Sequence, residues 1–162
     1  WCPIFAMSGW IRVSSLIEAS QPMSAQHNVT PVVINRLVCQ LQAWLPGLLA
    51  VYGFGSRVQG TARPDSDLDM AVLVAGYADP VLLWQWSGEL ADVAGCAVDL
   101  LDLRAASTVM QYQIITTGVR WWALDVQAAL FESAILSQKT ALDTARAGLL
   151  ADIQQRGSVY GR

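Results

Sequence analysis

Charge is the scarcest property of this 162-residue chain: Asp, Glu, Lys and Arg together make up only 14% of it, against roughly 25% in an average soluble protein. What charge there is falls on the wrong side for a nucleic-acid binder. Ten Lys+Arg against thirteen Asp+Glu leave a net charge of −3, and binding nucleic acid directly calls for a basic face. There is one lysine, Lys139, and one histidine, His27. The three cysteines (Cys2, Cys39, Cys96) are scattered without a CxxC pair, which excludes a structural zinc quartet and a disulfide framework. Long hydrophobic runs are missing too. The longest uncharged stretch, residues 37–56, is broken by Gln40, Gln42, Pro46 and Gly47, so no membrane span is expected.

The first residues, 1–22, carry neither an initiating Met nor the basic, apolar and small-residue order of a signal peptide. They are expected to stand outside the fold as a non-native or disordered extension. Free thiols without an export signal suggest the cytoplasm.

What is abundant is apolar, 54% of residues, enough for one core in a chain the length of a single domain. Thr30-Pro31 reads as a helix cap, with Val33, Leu37, Leu41 and Trp44 at helical spacing up to Pro46-Gly47. The apolar runs 48–54, 67–74 and 96–103 read as strands. A loop over 55–66 joins the first two, and a helix from Asp79-Pro80 through Val93 precedes the third. Ser107 to Thr117 reads as a helix ending at Gly118, Val119 to Leu124 as a short edge strand, and Asp125 as the cap of a long last helix. Along that helix Val126, Leu130, Ala134, Ala141, Ala145, Leu149 and Ile153 form an apolar stripe. The order predicts a small mixed α/β (α+β) fold. Residues 23–125 would be its catalytic domain, and 126–162 a helix and tail packed on it or on a partner. Seven tryptophans suit an interface and core packing equally. The pair Trp121-Trp122, facing opposite ways on a strand, would have one ring covered by the last helix or another chain.

The informative segment is Tyr52 to Val74, YGFGSRVQGTARPDSDLDMAVLV. Asp67 and Asp69, two apart on a strand, share a face with Cα atoms roughly 6 to 7 Å apart. Two carboxylates facing one way in an apolar strand repel and raise each other's pKa unless a cation compensates, and a hard, oxygen-loving ion such as magnesium suits them. Gly53, Gly55 and Gly60 let the backbone turn tightly, and the Ser56 hydroxyl and nearby amides can donate to phosphate oxygens. Arg57, and with less weight Arg63, can neutralise phosphate charge. The Gly-Lys-Ser/Thr ending of a Walker loop is absent, which excludes P-loop ATPases. For a third carboxylate Asp99 and Asp102 compete. Three residues apart on a strand, they face opposite sides. We choose Asp99, because an unpaired carboxylate in the middle of that apolar run would be costly, whereas Asp102 sits near the strand end, where it can cap or meet solvent.

Gly55-Ser56, a ten-residue gap, Asp67-Leu68-Asp69 and then Asp99 resemble the signature of the minimal nucleotidyltransferases of the DNA-polymerase-β-like superfamily. VDLLDL and the ending AGLLADIQQRGSVYGR look like the antitoxin branch found beside HEPN-domain toxins, and the likeness covers about residues 30 to 162. It implies a polymerase-β-like palm fold, metal ligation by Asp67, Asp69 and Asp99, and nucleotide binding by Gly55, Ser56 and Arg57. It also implies ATP and one or two magnesium ions, and an activity: transfer of AMP to a tyrosine hydroxyl of a cognate HEPN ribonuclease toxin, which silences it. Where relatives commonly read Gly-Ser-x-Ala-Arg-Gly, this chain has Gln59 in the arginine's place. That departure leaves a binding-only antitoxin as the alternative. A small-molecule nucleotidyltransferase of the aminoglycoside kind is a further one, weakened because little chain remains to form an acceptor domain.

Overall fold

The structure, a computed structural model, describes residues 29–156. The expected extension over 1–22, Cys2, His27 and the tail beyond 156 lie outside the described residues.

Among the described residues five helices and four strands follow one another as α1 (Pro31–Trp44), β1 (Leu48–Phe54), α2 (Gly55–Gln59), β2 (Leu68–Val74), α3 (Pro80–Ala94), β3 (Val98–Asp102), α4 (Thr108–Thr117), β4 (Val119–Ala123) and α5 (Gln127–Arg156). The caps are those the sequence announces. The side chains of Thr30, Asp79 and Ser107 accept from Val33, Val81 and Met110 amides, and Asp125 accepts from Gln127 N at 2.8 Å. Each satisfies a donor the helix leaves without a partner.

The sheet order is β3-β2-β1-β4, with β1 antiparallel to both β2 and β4, and β2 parallel to β3. Central β1 is buried at all seven residues, as a continuous apolar run requires. Leu37 and Leu41 of α1 and Leu83 and Leu90 of α3 cover one face, against Val51, Met70, Val72 and Leu100. The rings of Trp44 and Trp86 stack at 5.3 Å and lock α1 to α3. On the other face Ile114 of α4 and Ala128 of α5 pack on Ala50, Tyr52, Phe54, Ala71 and Leu73. Among the described residues no helix is long and apolar enough to cross a membrane.

Four expectations need correction. The segment after β1 is not loop throughout: Gly55 to Gln59 winds into α2, closed by Gly60 in the left-handed region with its N–H on Ser56 O. Strands β2 and β3 begin later than the apolar runs suggest, at Leu68 and Val98, so Asp67 stands just ahead of its strand. Trp121 and Trp122 both pack against the α1/α3 cluster, because the register of β4 on β1 slips between Val51 and Tyr52. A bulge breaks strict alternation. Finally, the stripe assigned to α5 is not its buried face. Val126, Leu130 and Leu149 are exposed, while Ala128 and Ile135 are buried and Phe131 packs beside them. With apolar residues on several sides of the helix, periodicity does not name the core-facing one; Ala128 and Phe131, packed on the sheet cluster, and buried Ile135 decide it.

Candidate active site

The site is assembled at one end of the sheet by strand register. Phe54, last residue of β1, lies opposite Asp69, and Asp69 lies beside Asp99 across the parallel β2/β3 ladder. Adjacent strands are about 4.8 Å apart. The side chains of Asp69, Ala71 and Leu73 alternate onto the α4/α5 face, and Leu101, two residues beyond Asp99, packs there as well. Asp67 and Asp99 are exposed and Asp69 is half-buried, so the carboxylates line an accessible edge.

Gly55 follows immediately. Its φ of +72° suits glycine, and a Cβ there would collide with Asp69 Oδ2. The backbone entering α2 therefore lies directly against the Asp69 carboxylate. Half-buried Ser56 is the next residue, and exposed Gln59 ends the helix.

Burial pushes the Asp69 carboxyl above its usual pKa range, and the negative charges of Asp99 and Asp67 push it further in the same direction. The Asp69 carboxyl thus senses the other two. Among the described residues no three acidic, His or Cys side chains close into a ready metal cage. Magnesium does not need one: it keeps several waters and binds through one or two carboxylates plus substrate phosphates. A set of oxygen donors, one of them destabilised by its neighbours' charge, fits such an ion.

Asp102 does not join this set. It is buried at 6% exposure, and its two oxygens accept from Ala78 N and Arg104 N, each at 2.9 Å. The burial that served to choose between the two candidates is thus reversed, since Asp99 is the exposed one, but parity and register still bring Asp99 to Asp69. Arg57 also differs from expectation. Rather than standing free toward a phosphate, it is buried, with Nε donating to Ser66 O at 2.7 Å and Nη2 to Pro64 O at 3.3 Å. These carbonyls belong to the turn that delivers Asp67. Arg63 is exposed, its backbone N–H held by Ser66 Oγ at 2.9 Å.

Sequence reading missed one polar cluster on the same face. Tyr52 Oη donates to Glu132 Oε1 at 2.7 Å, and Arg120 Nη1 reaches the same oxygen at 2.9 Å. Burial first, and then the Glu132 carboxylate, raise the Tyr52 pKa. The only signal was a tyrosine inside a fully buried strand, whose hydroxyl demands a partner. A depression between α1 and α3, lined by Asn35, Arg36, Cys39, Gln40, Asp92 and Val93, belongs to the layer opposite the carboxylates.

A mixed sheet that sets Asp69 beside Asp99 on adjacent strands, with Asp67 just ahead of one of them and Gly55-Ser56 against Asp69, is the site of a nucleotidyltransferase. The chain belongs to the polymerase beta nucleotidyltransferase family, which it matches over residues 42–125. It is 35% identical over 119 residues to the protein adenylyltransferase MntA of Shewanella oneidensis, covering 74% of this chain and 86% of that protein. Among solved structures it is similar to a toxin–antitoxin crystal structure with AMP-PNP (34% identity, TM-score 0.66, covering 78% of this chain and 99% of that one). It is also similar to a complex of tri-AMPylated Shewanella oneidensis HEPN toxin with its MNT antitoxin (31% identity, TM-score 0.63, covering 76% and 97%).

Proposed function

We propose that this protein is an antitoxin that transfers AMP from ATP to a tyrosine hydroxyl of a cognate HEPN ribonuclease toxin in the cytoplasm and so neutralises it. The observation that carries the reading is the alignment of Asp69 with Asp99 across β2/β3, Asp67 beside them, against the Gly55-Ser56 turn. The AMPylated toxin in a similar complex supports the acceptor.

In this reading Asp67 and Asp69 hold magnesium, with Asp99 completing the donor set. Bound there, magnesium supplies positive charge to the phosphates and to the displacement at phosphorus. Gly55 and Ser56 hold the β- and γ-phosphates by backbone N–H and hydroxyl donation. Asp99, the most accessible strand position of the set, orients the acceptor and takes its phenolic proton. The tyrosine oxygen bonds to the α-phosphorus as the bond from that phosphorus to the bridging oxygen breaks, and pyrophosphate leaves. The acceptor comes from outside, as a toxin tyrosine, in keeping with the AMPylated toxin of the similar complex.

The test is intact-mass spectrometry of the neighbouring HEPN protein after incubation with this protein, magnesium and each NTP in turn. Adducts of AMP mass, absent with Asp67→Asn/Asp69→Asn, are expected. An inhibited but unmodified toxin would instead make this chain a binding-only antitoxin.

A further inference from the structure

Helix α5 is longer than the body it packs on. Its first half is anchored by Ala128, Phe131 and Ile135 on the sheet side, by Arg104 over the Phe131 ring at 5.2 Å, and by Lys139 over the Tyr112 ring at 5.3 Å. Beyond Lys139 every described side chain through Gln154 is exposed except the half-buried Ile153. That is about 25 Å of helix up to Arg156 at 1.5 Å per residue.

This outer half is not polar. Leu142, Leu149 and Leu150 are 38%, 61% and 59% exposed. Phe131, Ile135, Leu142, Leu149 and Ile153 follow at intervals of four, seven, seven and four, which places them on one side of the helix. The seam that fastens the first half to the sheet thus runs on past the domain with nothing described against it. A solvated helix of this length gains nothing from leucine on that face, and such an apolar face marks an interaction surface.

Its position says which partner. The helix lies on the same face of the sheet as Asp69 and Asp99. It also advances with β1 toward the strand end where they sit: Leu124 N bonds Leu49 O, and eight residues later Glu132 meets Tyr52. A protein acceptor must come to those aspartates from the open side of that face. One tyrosine inserted at a sheet edge contacts far less than the roughly 800 Å² per partner of a stable interface, so the acceptor needs further surface beside the site. We infer that the outer half of α5, through Leu142, Leu149 and Ile153, is the docking surface for the protein whose tyrosine is modified, engaging an apolar helix face of that toxin. This rests on the acceptor being the HEPN toxin.

The test measures toxin affinity without nucleotide, for the full chain and for Leu142→Glu/Leu149→Glu, with Thr144→Glu on the opposite side of α5 as control. The double variant should weaken binding at least about tenfold, as for buried interface anchors. Its Mg-ATP thermal shift and helical circular dichroism should stay unchanged, and Thr144→Glu should bind as the parent does. Unaltered affinity in the double variant, or equal loss in the control, overturns the proposal. So does a change from dimer to monomer with toxin affinity retained, which would make the stripe a self-interface. Wild-type protein that binds toxin through α5 yet transfers nothing would sink the proposed activity and leave this surface standing.

Discussion

Gly55 has no room for a side chain because the Asp69 carboxylate lies against its backbone. This single contact links the two halves of the Gly-Ser/Asp-x-Asp signature, fourteen positions apart in sequence and neighbours through the Phe54/Asp69 pair of β1 and β2. A turn that must touch the carboxylate it serves admits only glycine.

Gly55→Ala should therefore act twice, straining a φ of +72° and displacing Asp69. We expect a loss of about 1–3 kcal/mol in stability and a fall of about a hundredfold or more in transfer, since small misplacements at a reacting centre cost that much. Gly60→Ala is the matched control. Its φ is +75° but nothing lies within 4 Å of the added Cβ, so about 1–2 kcal/mol of backbone strain should appear with transfer nearly intact. Thermal melts and initial rates on both variants check the pair.

Asp69→Asn should make the free protein more stable at neutral pH while abolishing transfer. Its pKa is raised by burial and by Asp99 and Asp67, so the fold favours the protonated form. That favour is complete below the unfolded-state pKa and is lost as pH rises through the higher folded-state value. At pH 7 the carboxylate is a liability that asparagine removes. The Tm advantage of the variant should shrink as pH falls through the carboxylate range. Magnesium should raise the Tm of the parent at pH 7 and leave Asp69→Asn nearly unmoved. A variant less stable than the parent at pH 7 would contradict this reading.

The two candidates on β3 separate cleanly. Asp99 is exposed, so Asp99→Asn should cost little stability and at least about a hundredfold in transfer. Asp102→Ala leaves two backbone donors, Ala78 N and Arg104 N, without partners. Both donors are only partly buried, so at or below about 1–3 kcal/mol for each group left unsatisfied the variant should lower the urea midpoint while the folded fraction keeps its activity. Denaturation curves with rates normalised to folded protein distinguish them.

These contrasts show where the sequence was legible. Caps, glycine stops and apolar runs are local, so Thr30, Asp79, Ser107 and Gly118 mark element ends that the structure repeats. The shared face of Asp69 and Asp99 follows from strand geometry once the strands are recognised, whereas Asp67, just ahead of β2, is not fixed by it. What escaped depends on partners distant in sequence. The bulge that sends Trp121 and Trp122 to one face needs β1 beside β4. The acceptor of the Tyr52 hydroxyl comes from Glu132, on the last helix. The buried side of α5 was misassigned because alanine is compatible with either face, and the packing of Ala128 and Phe131 on the sheet cluster, with Ile135 buried, settles it.

Arg57 gives the sharpest test of position against contact. If it bound a phosphate, its loss would raise the KM for ATP; the structure has it gripping Ser66 O and Pro64 O instead, so that it holds the turn from which Asp67 emerges. A lysine carries the same charge but not the planar fork that reaches two carbonyls at once. Arg57→Lys should accordingly fail to rescue Arg57→Ala. In both, the magnesium concentration for half-maximal rate should rise and kcat should fall about tenfold or more, with KM for ATP changing less at saturating magnesium. Moving the Asp67 turn also exposes backbone, so protease cleavage near Pro64 should quicken. Rescue by lysine together with a selective rise in KM for ATP would return Arg57 to the phosphates; a shift in magnesium dependence that lysine does not repair would make it a positioning residue that acts through Asp67.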